Sequence, residues 1–375
     1  MDFPSNTDLV DGRFVNEDAA QGIPGSLIVA EWGNAVTDEI LNVIRAAGMT
    51  PEEQDVSQLL DAIRALLGDS APQSNRNYFV DGNFDSWIDT GPVAMPTTSI
   101  RTASTIWRSS RSASGAGTIQ ADPFNGNEPV GMTSPVRYAL RHNQTTASTG
   151  TLASRTLPNL LQTVESVRTL HGRSATFSVW LRSSVSITIP GVLVEQSFGT
   201  GGSPAGMVRR DKEVSWTVTT AWRRFSVRLD IPSVAGRNIG TNGDDLLGVG
   251  IFLPPGVTFS IFAAQAQLEA SSPLSSSDIN GNGGAPTAFE WRGHQAELAR
   301  VQRQYSIFQC NVTTAINEQQ ISYPVVMRSA PALTASVNSG SGAAFSNLGP
   351  ANNGCYQSAA NSSVATATVT ADARV

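Results

Sequence analysis

The sequence predicts a mainly β protein with a helical hairpin near its N-terminus, a central jelly-roll β-sandwich and a small C-terminal β domain. Three observations carry this. Charged residues are only 15% of the 375 residues, beside 33 glycines and 20 prolines, whereas about 25% charge is usual. Ser, Thr, Asn and Gly stand in their place, as on the surface of a turn-rich β chain. The apolar share of 40% is enough to build a core. Finally, the hydrophobic period changes along the chain, from three and four residues before about 68 to two after about 79.

Residues 1–26 read as irregular, with Pro4, Gly12, Gly22, Pro24 and Gly25. Trp32, Val36, Ile40, Val43, Ile44 and Ala47 then recur at helical spacing, with Gly48 placed to end the helix. Thr50-Pro-Glu-Glu53 reads as a capping box with Pro at the first helical position, so a second helix is expected there. Val56, Leu59, Leu60, Ile63, Leu66 and Leu67 form its apolar face, and Gly68 can close it. Some 40 residues cannot bury two apolar faces alone, so the pair needs the rest of the chain or copies of itself. Residues 69–78 read as a polar linker. Beyond them lie short apolar segments at 175–182, 185–189, 225–231, 247–253 and 257–263, divided by Gly, Pro, Asn and Ser. Roughly 210 residues of this kind fit one large two-sheet sandwich. Residues 294–304 return briefly to helix, and the tail Val-Ala-Thr-Ala-Thr-Val-Thr-Ala-Asp alternates as a final strand. The expected domains are 1–70, 77–290, a linker helix at 291–305, and 306–375.

Several function classes are excluded by counting. A net charge of −6 disfavours nucleic-acid binding. The one lysine, Lys212, has no Gly before it, so no phosphate-binding loop of the Gly-Lys-Ser/Thr kind exists. His142, His171, His294, Cys310 and Cys355 form no CxxC, HxxxH or HExxH pattern. No metal and no cofactor are expected. Residues 1–15 have no apolar signal core, and no stretch reaches the length of a membrane span, so cytosolic synthesis is expected. On that ground free buried thiols are the default for Cys310 and Cys355, with one disulfide after lysis as the alternative.

Three blocks, in order, resemble the tail-fibre-type proteins of tailed bacteriophages and prophages. The first is Trp-Gly-Asn-Ala-Val-Thr-Asp-Glu-Ile-Leu from 32, with Asp-Val-Ser-Gln-Leu-Leu from 55. The second opens with Val-Asp-Gly-Asn-Phe-Asp-Ser-Trp at 80–87. It continues through 177–182, 221–225, 238–245, Gln-Ala-Gln-Leu-Glu at 265–269 and Phe-Glu-Trp-Arg at 289–292. This series is similar to the carbohydrate-binding-like jelly roll of such fibres. The third is Glu-Leu-Ala-Arg-Val-Gln-Arg-Gln-Tyr at 297–305, then 323–331. It departs from the family where Cys-Gln-Arg-Tyr-Tyr is common and this chain has Val-Gln-Arg-Gln-Tyr-Ser at 301–306. The resemblance implies an elongated, trimeric fibre or head spike of a virion, released by lysis. Its N-terminal region would hold other virion proteins, and the fibre would attach the particle to bacterial surface polysaccharide without being an enzyme. The alternatives are a structural connector with no ligand, and a polysaccharide depolymerase.

Within that frame the aromatic residues are the candidate sugar contacts, because sugar rings pack their C–H faces on rigid aromatic rings. Alternation puts Ser178, Trp180 and Arg182 on one face, opposite Phe177, Val179 and Leu181. Likewise Trp222 and Arg224 share a face opposite Phe225, Val227 and Leu229. Trp180, Arg182, Trp222 and Arg224 are therefore candidate contacts, joined by Trp87 and Trp107 near turns. In the competing reading the tryptophans cover a second sheet, meet a neighbouring subunit or cap an end of the sandwich. Asn242-Gly-Asp-Asp245 gathers oxygens but lacks the spacing of a calcium loop, so it reads as an Asn-Gly turn. Gly68-Asp-Ser70 reads as a helix end rather than as an esterase nucleophile.

Overall fold

The computed structural model describes residues 13, 15–22, 25–26, 30–53, 55–63, 76–95, 104, 106–112, 114–126, 129, 131–132, 135–271, 286–312, 320–337, 344–347, 353–359 and 365–374. The chain divides into two compact units at residues 73 and 74.

In the first unit, α1 spans Ala30–Ala46. Ile44 is buried, and Trp32, Val36 and Val43 are half-buried along the predicted stripe. Gly48 ends the helix at φ 75°, a left-handed conformation that suits Gly. Its N–H donates to Arg45 O and the N–H of Met49 to Ile44 O, the paired bonds of a Schellman cap. A second helix, α2, runs from 58 to the limit of description at 63. It starts later than the capping box at 50–53 predicts. The Gln58 side chain takes the N–H of Glu52 and donates to Thr50 O, while Asp55 accepts from the Ser57 N–H. These side chains satisfy the backbone in a non-helical path. Val56 is 99% exposed, and Ile40, Leu60 and Ile63 are also exposed, so the apolar face is uncovered at these positions. Leu66, Leu67 and the Gly68-Asp-Ser70 segment lie outside the described residues.

The second unit is built on a two-sheet sandwich. Its strands are β1 (Val93–Ala94), β2 (Arg108–Ser110), β3 (Ala116–Pro123), β4 (Tyr138–Thr146), β5 (Asn159–Glu165), β6 (Ser174–Ser183), β7 (Ile187–Ser197), β8 (Val208–Arg209), β9 (Lys212–Val218), β10 (Arg223–Asp230), β11 (Leu246–Phe252) and β12 (Phe259–Ala270). One sheet has the order β1-β3-β4-β12-β6-β10; the other is β2-β5-β11-β7-β8, with β9 also on β7. All these pairings are antiparallel. From β4 onward the main strands fall as β4-β12-β6-β10 against β5-β11-β7-β9. This is the eight-strand order of a jelly roll, in which the chain crosses repeatedly between the sheets.

The core lies between the sheets. Phe177, Val179 and Leu181 of β6 meet Phe225, Val227 and Leu229 of β10, Leu247, Val249 and Ile251 of β11, and Trp216 of β9. Burial of one such leucine contributes about 1.5–3 kcal/mol. Two strands outrun their apolar segments. β7 passes Pro190, and its register with β9 shifts between Ile189 and Gly191; a bulge tolerates a residue with no N–H. β12 continues beyond Ala263 through a register shift between Ala264 and Gln267.

Residues 77–84, all but the half-buried Tyr78, are buried against this core without belonging to a strand, and form a knot of hydrogen bonds. The Gln162 side chain accepts from the N–H of Val80 and donates to its carbonyl. The Arg292 guanidinium donates to Asn77 O and Phe79 O. Glu297 accepts from the Asp81 N–H, and Glu290 from the Asn77 N–H. The expected linker helix is α3 (His294–Gln302), whose Val301 packs on Val80 and Ile106. Helix and knot thus form part of this unit.

The C-terminal strands are β13 (Tyr305–Val312), β14 (Gln320–Ser322), β15 (Ala332–Val337), β16 (Ala344–Asn347), β17 (Gly354–Ala359) and β18 (Ala365–Asp372). They form two small sheets, β13-β18-β15 and β14-β17-β16, around Tyr323, Met327, Cys355 and Ala371. Cys310 and Cys355 are free, and burial pushes the Cys355 thiol up to about 11. Arg328, almost wholly buried, ties this part to the sandwich by donating to Gly243 O and Asp245 O at 2.9 and 2.8 Å. Nearer the surface, Arg303 pairs with Glu165 at 2.6 Å.

The two ties differ in what their loss costs. Arg328→Met strands the carbonyls of Gly243 and Asp245, the latter buried, and is expected to cost about 2–4 kcal/mol. Arg303→Met removes a half-exposed ion pair, which is worth about 1 kcal/mol or less. Urea unfolding of the two variants checks this order, and the reverse order would contradict it.

Candidate functional site

The outer face of the β1-β3-β4-β12-β6-β10 sheet gathers most of the predicted contacts. Register alone builds two adjacent rows across it. One runs Gln120, Arg141, Phe262 and Arg182. The next includes Asp122 opposite Ala139, then Ala264, Trp180 and Arg224. Trp222 precedes β10 and lies beside Arg182, whose guanidinium carbon is 5.3 Å from its ring centroid. The same guanidinium sits 3.6 Å above the Phe262 ring. Phe124 stacks on Trp222 with centroids 5.5 Å apart and planes at 28°.

Phe124, Arg182 and Trp222 frame a hollow of about 520 Å³, together with Asp122, Pro123 and Thr220; Phe262 and Arg141 lie beside Arg182 and Asp122. Asp122 stands between two guanidiniums, 3.6 Å from Arg182 and 3.9 Å from Arg141. Both separations exceed hydrogen-bond length. Burial holds the Arg182 guanidinium below its usual pKa; Asp122 opposes that shift and Arg141 adds to it.

The six predicted residues divide by environment. Trp180, Arg182, Trp222 and Arg224 share one face, as alternation required. Trp180 is half-buried, and a Cβ on Gly131 would meet its ring at 3.4 Å, so a loop screens part of it. Arg224 donates to Ser178 Oγ at 3.0 Å, and burial lowers its pKa. Trp87 lies apart, packed on the core with its indole N–H on Phe84 O at 2.7 Å. Trp107 corrects the expectation: it is 2% exposed, wedged between Phe79 and Phe84, and its indole N–H donates to Asp81 O. The apolar interior claims the large ring, leaving no face for a ligand.

Sequence reasoning missed Phe262, Asp122, Phe124 and Arg141. Phe262 is hidden in a run that reads as apolar on both faces, because β12 is central in its sheet. The other three carry no local pattern; pairing of β3, β4 and β12 brings them together.

Carboxylates gather elsewhere. Asp81, Asp85, Glu290 and Glu297 surround a small cavity of about 120 Å³. Asp81 accepts the N–H groups of Asp85 and Ser86, and burial raises its pKa well above the ordinary range. Glu290 and Glu297 hold Arg292. In the 242–245 turn, Gly243 has φ 69°. There Asp244 accepts from Thr200 and Asp245 from Ser166 and Val167, so both carboxylates serve the turn. Among the described residues no three His, Cys, Asp or Glu side chains are placed to hold a metal ion. No helix among them is long and apolar enough to cross a membrane.

No family model matches the chain, and no curated protein matches it. Several solved structures align with it over about half its length. One is the C-terminal family 22 carbohydrate-binding module of a Clostridium thermocellum protein, at 14% identity, covering 53% of this chain and 97% of that one, with a TM-score of 0.31. Another is a xylan-binding domain from Paenibacillus barcinonensis, at 13% identity, covering 44% and 91%, with a TM-score of 0.28. A third is the enzymatically active domain of tailspike protein 4 of bacteriophage CBA120, at 11% identity, covering 53% and 22%, with a TM-score of 0.30. Likenesses this distant bear on neither ligand nor activity, and the jelly-roll assignment rests on the strand order.

On the inner face of the same sheet, His142 is fully buried, with Nδ1 2.8 Å from Ser109 Oγ. Burial lowers its pKa from 6.5 to about 3. The unfolded chain therefore takes up this proton first, and stability is lost as pH falls from about 6.5 towards 3. His142→Leu is expected to flatten that part of a melting-temperature-against-pH curve; an unchanged slope would contradict the assignment.

Proposed function

We propose that this chain is a fibre or spike subunit of a tailed-phage-like particle, and that its jelly roll binds bacterial surface polysaccharide at the Trp222–Arg182 hollow. One observation carries the ligand reading. Trp222, Phe124 and Phe262 cluster with guanidiniums on the outside of a sheet whose inner face already forms the core. Aromatic walls suit the C–H face of a sugar ring, and planar N–H donors suit its oxygens. A hollow of this size accommodates a small saccharide. The particle reading rests on the order of the sequence blocks. Exposed Ile40, Val56, Leu60 and Ile63 support an N-terminal region that packs on other chains. Three weak sites on one rigid particle bind by avidity without tight individual affinity.

The connector reading draws on the loop beside Trp180 and the commitment of Arg224 to Ser178, which are features of packing. A depolymerase needs two carboxylates across a cleft, and its signature is the release of reducing ends.

Trp222→Ala is expected to weaken polysaccharide binding about tenfold in affinity electrophoresis while shifting the melting temperature by only a few degrees. A stability loss without a binding change favours the connector. Light scattering of the full chain is expected to give a mass near three chains. Removal of residues 1–70 is expected to abolish trimer formation and particle incorporation while leaving sugar binding intact; joint loss of assembly and binding would sink the modular picture.

A further inference from the structure

We infer that the sugar taken by the Trp222–Arg182 hollow carries a carboxylate. This rests on the polysaccharide reading above and narrows it to an acidic glycan of the uronic-acid type. The chain as a whole is acidic, at −6, whereas the hollow is lined by one acid, Asp122, and one base, Arg182, with Arg141 a second base beside Asp122. Arg182 and Arg141 share a single carboxylate, Asp122, which can neutralise only one of them. Its distances of 3.6 and 3.9 Å leave it locked to neither. Among the described residues the Arg182 guanidinium meets only Asp122 and the Trp222 and Phe262 rings, so its N–H groups have no hydrogen-bond acceptor. Arg141 Nε is likewise buried without a hydrogen-bond partner.

Stacking on Phe262 fixes the plane of the Arg182 guanidinium and leaves its N–H edge for a planar anion. A carboxylate matches that edge with two parallel hydrogen bonds. A neutral hydroxyl makes weaker bonds and does not relieve the repulsion between the two arginines. That repulsion is also visible in the way Arg141 further depresses the Arg182 pKa. Trp222, stacked with Phe124, supplies the wall for the sugar ring. General attraction of polyanions is not the source of such binding, because the net charge of the chain repels them. The contact must be local.

The test is affinity electrophoresis of the full-length chain in gels containing polygalacturonate, alginate or hyaluronan. Parallel gels contain the same polymers after methyl esterification or carboxyl reduction, and neutral dextran and galactan. At least one acidic polymer is expected to retard the chain about tenfold more strongly than its uncharged counterpart. Arg182→Gln is expected to erase that difference. Asp122→Asn, which removes the competing carboxylate, is expected to widen it; general damage to the fold would instead weaken binding in both variants. Equal retardation by charged and uncharged forms, or retardation by neutral polymers alone, overturns the acidic-sugar inference and leaves polysaccharide binding standing. Absence of retardation by every polymer, charged and neutral, overturns both.

Discussion

A buried stretch of backbone that joins no strand ladder, and has only scattered backbone bonds to β12, imposes the central constraint on this protein. Residues 77–84 run against the core, and their N–H and C=O groups cannot be left unpaired there. Side chains from distant parts of the chain supply the partners: Gln162 from β5, Glu290 and Arg292 from the segment before α3, and Glu297 from α3 itself. Asn77 adds bonds to Leu268 N–H and Ala266 O on β12. Trp107 closes the knot by donating to Asp81 O. Each of these groups is satisfied only if the others are in place, which is how a buried polar network specifies one arrangement.

This knot also explains why the blocks at 80–87, 265–269, 289–292 and 297–305 occur together. They are far apart in the chain and meet at one place. Their order is therefore first a record of how the end of the sandwich is fastened. The residues proposed to meet a ligand lie on the outer sheet face, and of them only Trp180, Arg182, Trp222 and Arg224 fall within the blocks of the resemblance. Fastening and binding use different parts of the same jelly roll, so a change at the hollow need not disturb the knot.

The C-terminal sheets continue the fastening. Arg328 reaches the turn at 243–245, Arg303 reaches Glu165, and the N–H of Ala373 donates to Gln304 O. The turn's own carboxylates brace it through Thr200, Ser166 and Val167. Charge here is used to join layers, which fits a chain whose basic residues are all arginines but Lys212, each able to satisfy several carbonyls at once.

Periodicity determined a good deal by itself. A period of two placed Phe177, Val179 and Leu181 inward and Trp180 and Arg182 outward, because β side chains alternate whatever surrounds them. A period near 3.6 placed α1, and Gly48 ended it. Local pattern could not locate the start of α2, where Gln58 binds backbone eight residues away, or the extensions of β7 and β12 through irregular pairing. Nor could it separate Trp107 from Trp87: both are tryptophans near turns, and only packing decides that Trp107 is 2% exposed in the core. The hollow itself belongs to the tertiary structure. Asp122, Arg141, Phe262 and Arg182 stand on four different strands, and long-range register alone sets them side by side.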